Sequence, residues 1–273
     1  SERPSTGTMS TRRSKHAAEV SYRPPSISLK SGMVAYALVG LTLATCAGSL
    51  IVFCVFLYVG PFGTVNLDLG LPQALVFDSF LCAAFFLQHS GMIRKSARRR
   101  MSQVISEHYL GAVFSIASGV TLLALVLLWQ ETPIVLASAD GFYRWSFRAV
   151  FFLGVAGQMW GTWAWKSCDL LGTERVLRRS DPTSLPAPMV VRGLYRWVRH
   201  PLYLAMLMMI WSYPDLTADR LLFNVLFTGW IIVGTVLEER DLVENFGDDY
   251  RNYQRRVPML IPYRRRGKDS AVV

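Results

Sequence analysis

"RHPLYLAMLMMIWSYPDLTADRLLFNVLFTGWIIVGTVLEER", residues 199–240, sets two apolar runs of unequal length behind an arginine, a histidine and a proline. The first, 201–213, has 13 residues, too few to cross a ~30 Å hydrocarbon core as a helix that rises ~1.5 Å per residue. The second, 217–237, has 21 residues and can cross. Read as one kinked span, the pair leaves the basic tail "RRVPMLIPYRRR" on one side of the membrane; read as a helical hairpin, it returns the tail to the side from which the hairpin entered. The distribution of charge over the rest of the chain chooses between them.

The 273 residues are 52% hydrophobic and only 18% charged, with a mean hydropathy of +0.28, which is too apolar for an ordinary soluble domain. A formal charge of +10 raises nucleic acid as a partner, but the basic residues flank apolar runs and form no stripe interleaved with aromatics, so no nucleic-acid partner is expected. Four earlier spans are read at 33–59, at 74–87 with its flanks, at 109–129 and at 145–165. The basic clusters Arg12 to Lys30, Arg94 to Arg100 and Lys166 to Arg199 all fall on one face if the N-terminus is cytoplasmic, while the opposite loops offer only Arg144 and Arg148. A hairpin at 201–237 keeps the tail on that face too. The expected fold is therefore an all-α integral membrane protein, multi-pass, with about five full transmembrane helices plus a short helix forming a C-terminal hairpin. A basic arm (1–30) precedes the membrane domain (31–263), whose cofactor-binding part is 190–263, and a basic tail (264–273) follows. The first apolar run is too long for a cleaved signal peptide and is expected to stay in the mature protein. Cys46, Cys54 and Cys82 lie inside apolar runs and Cys168 near a boundary, a spacing that suggests neither disulfides nor a metal site. Asp78 and Arg148, charged within spans, are expected either to pair with each other or to serve the acceptor path.

The opening triplet then sits at the cytoplasmic membrane surface. Pro201 suits a first helical turn, where its missing N–H costs nothing. His200 stands near the N-cap beside free backbone N–H groups that favour an anion, and Arg196 and Arg199 add positive charge. Arg199 and Tyr203, four apart, share a helical face. Glu238 and Glu239 reach the far end of the long span, where carboxylates oppose the helix dipole and require a cation. Tyr250 and Tyr253, three apart, are neighbours on a helix. A ligand that is at once carboxylate, ammonium and sulfonium, such as S-adenosylmethionine, matches this set, with tyrosine rings on its adenine or facing its sulfur. Interfacial snorkelling with Glu–Arg pairing at a helix end accounts for the same residues without any ligand.

"VRHPLYL", "EERDL" and "FGDDYRNYQRRVPMLIP" resemble, in order and spacing, the C-terminal signature of the isoprenylcysteine carboxyl methyltransferase superfamily. "FLQHSGM", "LLWQETP", "DLLG" and "GLYRWVRHPLYL" extend the resemblance to its bacterial methanethiol S-methyltransferase family, over about 71–262. The resemblance implies S-adenosylmethionine as cofactor, held by Tyr195, Arg199, His200, Tyr203, Glu238 and Glu239 with Tyr250 and Tyr253 closing over it. It implies a small thiol or lipophilic methyl acceptor, first methanethiol going to dimethyl sulfide, met by Gln88 and Asp169, with His89, Glu107 or His108 as catalytic base. Two departures touch the acceptor region: His108 and Tyr109 follow Glu107 where the family carries an "ERS"-like segment, and Lys166 and Ser167 stand where an Asn-His pair is expected ahead of Cys168 and Asp169. Methylation of a prenylated cysteine carboxylate is the second reading, a membrane sterol reductase needs more spans than this chain has, and a non-catalytic membrane scaffold would not need the complete Arg-His-Pro, Glu-Glu and Tyr set.

Overall fold

The computed structural model describes residues 29–164 and 191–262; Lys166, Ser167, Cys168 and Asp169 lie outside them, as do the N-terminal arm and the end of the tail. Helices α1 (Leu29–Val59), α2 (Leu71–Ile93), α3 (Lys95–Met101) and α4 (Glu107–Leu127) are followed by a short strand β1 (Val135–Ser138) and by α5 (Gly141–Ala164). After the gap come a 3-10 turn (Gly193–Arg196), α6 (Pro201–Trp211), strand β2 (Asp215–Thr217), α7 (Ala218–Phe246) and α8 (Asp248–Arg256). Helices α1, α2, α4 and α7 are long and apolar enough to cross a membrane. The expected fifth span, α5, has 24 residues but is less apolar, with Arg144, Arg148, two glycine-to-glycine steps and several aromatics along it. Aromatic side chains dominate the core: Phe53, Phe56, Phe85, Trp129, Phe223 and Phe227 are buried from four helices and their flanks, with Phe223 and Phe227 stacked at 4.2 Å between centroids.

The hairpin exists, and it answers the problem of its short arm. Pro201 starts α6 at its first turn, and the helix stops after 11 residues. The chain then runs through Tyr213 and Pro214 into β2, gaining ~3.3 Å per residue where a helix gains ~1.5 Å, so a short helix plus an extended tail matches the reach of the long α7. Extended backbone exposes hydrogen-bonding groups, and β1 supplies their partners: the strands pair antiparallel, Val135 opposite Thr217 and Ser138 opposite Asp215. Arg144 forks onto Asp215 at 2.6 and 2.9 Å and the Ser138 hydroxyl donates to it at 2.6 Å. Burial works against the Asp215 carboxylate, yet those two donors hold its pKa below the usual range. Among the described residues, this strand pair is the element that an all-α reading of the sequence leaves out.

Small residues set how closely α5 approaches α6. A Cβ on Gly154 would meet the Ala205 carbonyl oxygen at 2.8 Å and Met209 Cγ at 2.6 Å, and one on Gly161 would meet Leu202 at 2.2 Å, with Gly157 facing Ala205 between them. Substituting Gly154→Ala is expected to force the two helices apart and lower stability by ~1–3 kcal/mol, whereas Gly48→Ala, with nothing within 4 Å, leaves the thermal midpoint in detergent unchanged. Equal midpoints for the two variants would refute that close approach.

Asp78 and Arg148 do not pair. Asp78 on α2 accepts from the Gln130 backbone N–H at 3.0 Å, and Arg148 on α5 donates to the Tyr58 carbonyl while lying 4.0 Å over the Tyr58 ring. The reason is the end of α1, whose last carbonyls have no intrahelical donor. Arg220 caps Leu57 at 2.9 Å, Arg148 caps Tyr58 and the Tyr213 hydroxyl caps Val59 at 3.0 Å. Cations at a helix C-terminus also oppose its negative dipole end. Nearby, fully buried Asp219 accepts from Trp129 Nε1 at 3.1 Å, from the Thr132 N–H at 3.1 Å and from the Thr132 hydroxyl at 2.6 Å, tying the start of α7 to the end of α4.

Candidate functional site

The hairpin brings the start of α6 beside the last turns of α7. Arg199 donates through Nε and Nη2 to the two oxygens of Glu239, at 2.6 and 3.1 Å, a forked pair whose side chains are only 10% and 12% exposed. Its Nη1 turns to the carbonyls of Gln254 and Val257 at the C-terminal end of α8. Arg199 thus neutralises one carboxylate and caps a second helix, and its hydrogen-bonding capacity is largely spent within the protein. Gln254 Nε2 completes the Glu239 carboxylate at 2.9 Å.

His200 occupies the N-cap of α6, with φ −124° and ψ 67° and no side-chain cap bond. Its Nε2 lies 3.1 Å from Glu239 Oε1 and its Nδ1 3.8 Å from Glu238 Oε2. The Tyr203 ring stacks on the imidazole, 5.4 Å between centroids and 7° from parallel, and its hydroxyl donates to Glu238 at 2.7 Å. Glu238 remains 42% exposed in its side chain, so this carboxylate has an open face while Glu239 is enclosed. Two backbone bonds hold the entry to α6 against the tail: Arg199 N–H to the Pro258 carbonyl at 2.9 Å and His200 N–H to the Met259 carbonyl at 3.1 Å.

Gly247, with φ +57°, takes the left-handed conformation open to glycine and turns the chain from α7 into α8. Tyr250 and Tyr253 come off α8 edge to face, 5.8 Å apart, and the Tyr253 hydroxyl donates to the Tyr195 carbonyl. Burial pushes both phenols up, reinforced by Glu239 beside Tyr250 and by Tyr250 beside Tyr253, so they stay neutral O–H groups across the working pH range. Tyr195, Arg199, His200, Tyr203, Glu238, Glu239, Tyr250 and Tyr253 therefore gather in one place. Tyr203→Phe is expected to leave the fold intact and to free Glu238, weakening a cation bound there by about tenfold, the ~1.5 kcal/mol of one hydrogen bond to a charged group; a binding isotherm measures it.

A second polar cluster lies between α2, α4 and α7. His89 Nδ1 is 3.2 Å from the Ser118 hydroxyl, and Gln88 links Ser118, Thr121 and the Met92 sulfur at 3.3, 2.9 and 3.0 Å. Phe85, Phe114 and Trp230 surround the imidazole with centroids 5.1 to 5.5 Å away. Ser118, Thr121 and Trp230 carry no motif of their own and were legible only as apolar-span residues. Glu107 is exposed in the first turn of α4 with half-buried His108 beside it; Ser118 lies ten residues, or ~15 Å, further along that helix, so they do not join the His89 cluster. Among the described residues, no group of His, Cys, Asp and Glu could hold a metal ion.

Comparison with known proteins bears on what gathers here. Residues 95–257 match a family described as a protein of unknown function, DUF1295. A methanethiol S-methyltransferase of Pseudomonas deceptionensis is 35% identical over 73% of this chain and 77% of its own length, and one of Mycobacterium tuberculosis is 34% identical over 73% and 84%. Nurim of Xenopus laevis is 26% identical over 60% of this chain and 61% of that protein. No solved structure matches. On that identity and coverage the chain belongs to the family of the bacterial methanethiol S-methyltransferases.

Proposed function

We propose that the protein is an S-adenosylmethionine-dependent thiol S-methyltransferase whose acceptor is methanethiol and whose product is dimethyl sulfide. The single observation that carries the reading is the open carboxylate of Glu238, set beside the uncapped start of α6 by Tyr203 and His200. A helix N-terminus offers N–H groups to a carboxylate, and the exposed face of Glu238 suits an ammonium or sulfonium. The donor set thus fits the charges of S-adenosylmethionine. When bound, that molecule supplies an activated methyl on a good leaving group.

The protein's own residues then have three tasks. Arg199, by holding Glu239 and the end of α8, fixes the walls. His200 and Tyr203, stacked in parallel, orient Glu238. Tyr250 and Tyr253, neutral and edge to face, with the Tyr253 hydroxyl on the Tyr195 carbonyl, close the cytoplasm-facing side and exclude water. Alignment of this kind contributes on the order of 7–11 kcal/mol to a displacement. Gln88 and His89 meet the acceptor: Glu239 is nine residues, or ~13 Å, along α7 from Trp230, the residue that packs on His89. Glu107 and His108, at the start of α4, and Asp169 stand as further acceptor-side candidates. The basic clusters favour an N-terminus and a site on the cytoplasmic side of a bacterial inner membrane.

The test is to offer labelled S-adenosylmethionine and methanethiol to the purified, detergent-solubilised protein and to collect the headspace. Labelled dimethyl sulfide is expected. Binding of S-adenosylhomocysteine with no volatile product overturns the acceptor, and no binding overturns the donor as well.

A further inference from the structure

His89 is tied into a directional chain of hydrogen bonds, and the direction decides what the imidazole can do. Gln88 Oε1 faces the Thr121 hydroxyl at 2.9 Å, whose proton the Ala117 and Ser118 carbonyls share at 2.9 and 3.2 Å, and Gln88 Nε2 donates to the Met92 sulfur at 3.0 Å and to Ser118 Oγ at 3.3 Å. Ser118 Oγ already accepts, and its own proton has one acceptor among the hydrogen bonds it makes: His89 Nδ1, at 3.2 Å. The opposite tautomer would give Ser118 Oγ two donors and leave its proton unused. In the arrangement that uses the Ser118 proton, Nδ1 accepts, Nε2 carries the proton, and Nε2–H is the donor left open to a ligand. Among the described residues Nε2 has no hydrogen-bond partner, and no charged side chain of α2, α4 or α7 lies against the ring, whose neighbours are Phe85, Phe114 and Trp230.

We propose that His89 serves the acceptor as an N–H donor: Nε2–H holds the thiolate sulfur in the aromatic cage, and Ser118, backed by Gln88 and Thr121, is the positioning residue that fixes the tautomer. The inference rests on the methyltransferase reading and removes the general-base role from His89, because a protonated Nε2 has no lone pair for the thiol proton. The acceptor enters as thiolate, its proton already released to water. Its lone pair forms the new sulfur–carbon bond, the sulfonium carbon–sulfur bond breaks with its electrons left on the departing sulfur, and His89 keeps its proton throughout. A single N–H aimed at a sulfur in an apolar cage also selects a small thiol, since a bulky acceptor meets Trp230 and Phe114.

The experiment compares His89→Gln, His89→Ala and Ser118→Ala in the full-length protein, reading kcat, KM for methanethiol, and binding of labelled S-adenosylmethionine as the control for folding. A glutamine amide N–H reaches close to the place of Nε2 and donates, but it cannot take a proton. His89→Gln is expected to retain at least a tenth of wild-type turnover and His89→Ala to lose about 100-fold, with donor binding kept in both; removing one preorganised donor typically costs ~10²–10³. Ser118→Ala is expected to lower kcat several-fold, with KM for methanethiol little changed. Wild-type kcat/KM is expected to climb with pH toward the thiol's own ionisation, where a histidine base would level off at a pH well below it. His89→Gln as inactive as His89→Ala, or a profile that levels there, overturns the proposal in favour of a base. His89→Ala with full turnover overturns it and leaves the methyltransferase reading standing; a wild-type protein that forms no thioether overturns that reading instead.

Discussion

Arg199→Ala is expected to abolish donor binding and to lower stability by ~3–5 kcal/mol, the cost of leaving one member of a buried ion pair alone. Glu239 would stay enclosed with only His200 and Gln254, and the carbonyls of Gln254 and Val257 would lose their cap. Arg199→Lys separates charge from geometry. It restores the positive charge, but one ammonium cannot fork onto two carboxylate oxygens and also reach two carbonyls. Stability is expected to recover in part, while the binding isotherm for S-adenosylhomocysteine stays at least tenfold weaker than wild type. Full recovery by lysine would mean that the pair acts only as a charge.

Asp219→Leu is expected to give the largest loss of stability at the other end of α7, on the order of 3–5 kcal/mol, because the Trp129 indole N–H and both donors of Thr132 lose their acceptor in a fully buried site. Asp219→Asn keeps an acceptor and is expected to lose about half as much. The molecules that remain folded should bind S-adenosylhomocysteine as wild type does, since Asp219 lies 20 residues, or ~30 Å, along the helix from Glu239. Thermal melts paired with binding measurements on the folded fraction check both statements. Weakened binding per folded molecule would show that the two ends of α7 communicate.

The spans were legible because a long uncharged run has few alternatives, and the hairpin because Arg and Lys fall unevenly on the two sides of it. The site was legible because its residues cluster in sequence at two points, around 195–203 and 238–253, and the hairpin leaves them no place but beside each other. What the sequence could not disclose is where a side chain goes when the partner is backbone. Arg148, charged within an apolar helix, reads as the ion-pair partner of Asp78 or as an acceptor-path residue, yet it and Arg220 cap the last carbonyls of α1. Carbonyl positions carry no residue code, so no motif announces them. The pairing of β1 with β2 was hidden for a related reason. Each strand is three or four residues long, too short for a period-two pattern, and they stand far apart in the chain. Ser118 and Thr121 were invisible as polar partners because a hydroxyl every few residues is ordinary in a membrane helix; only the helix packing shows which of them faces His89.

The two backbone bonds from Arg199 and His200 to Pro258 and Met259 give the protein a sense of completion in time. Ribosomal synthesis delivers α1 to α7 before it delivers residue 258, so a nascent chain can hold all of these helices and still lack the contacts that fasten Arg199 and His200. A product cut short after α7 would keep its hairpin and lose the two carbonyls that hold the backbone of Arg199 and His200. The last dozen residues of the described chain thus fasten the start of α6 only after the helices that frame it have been made.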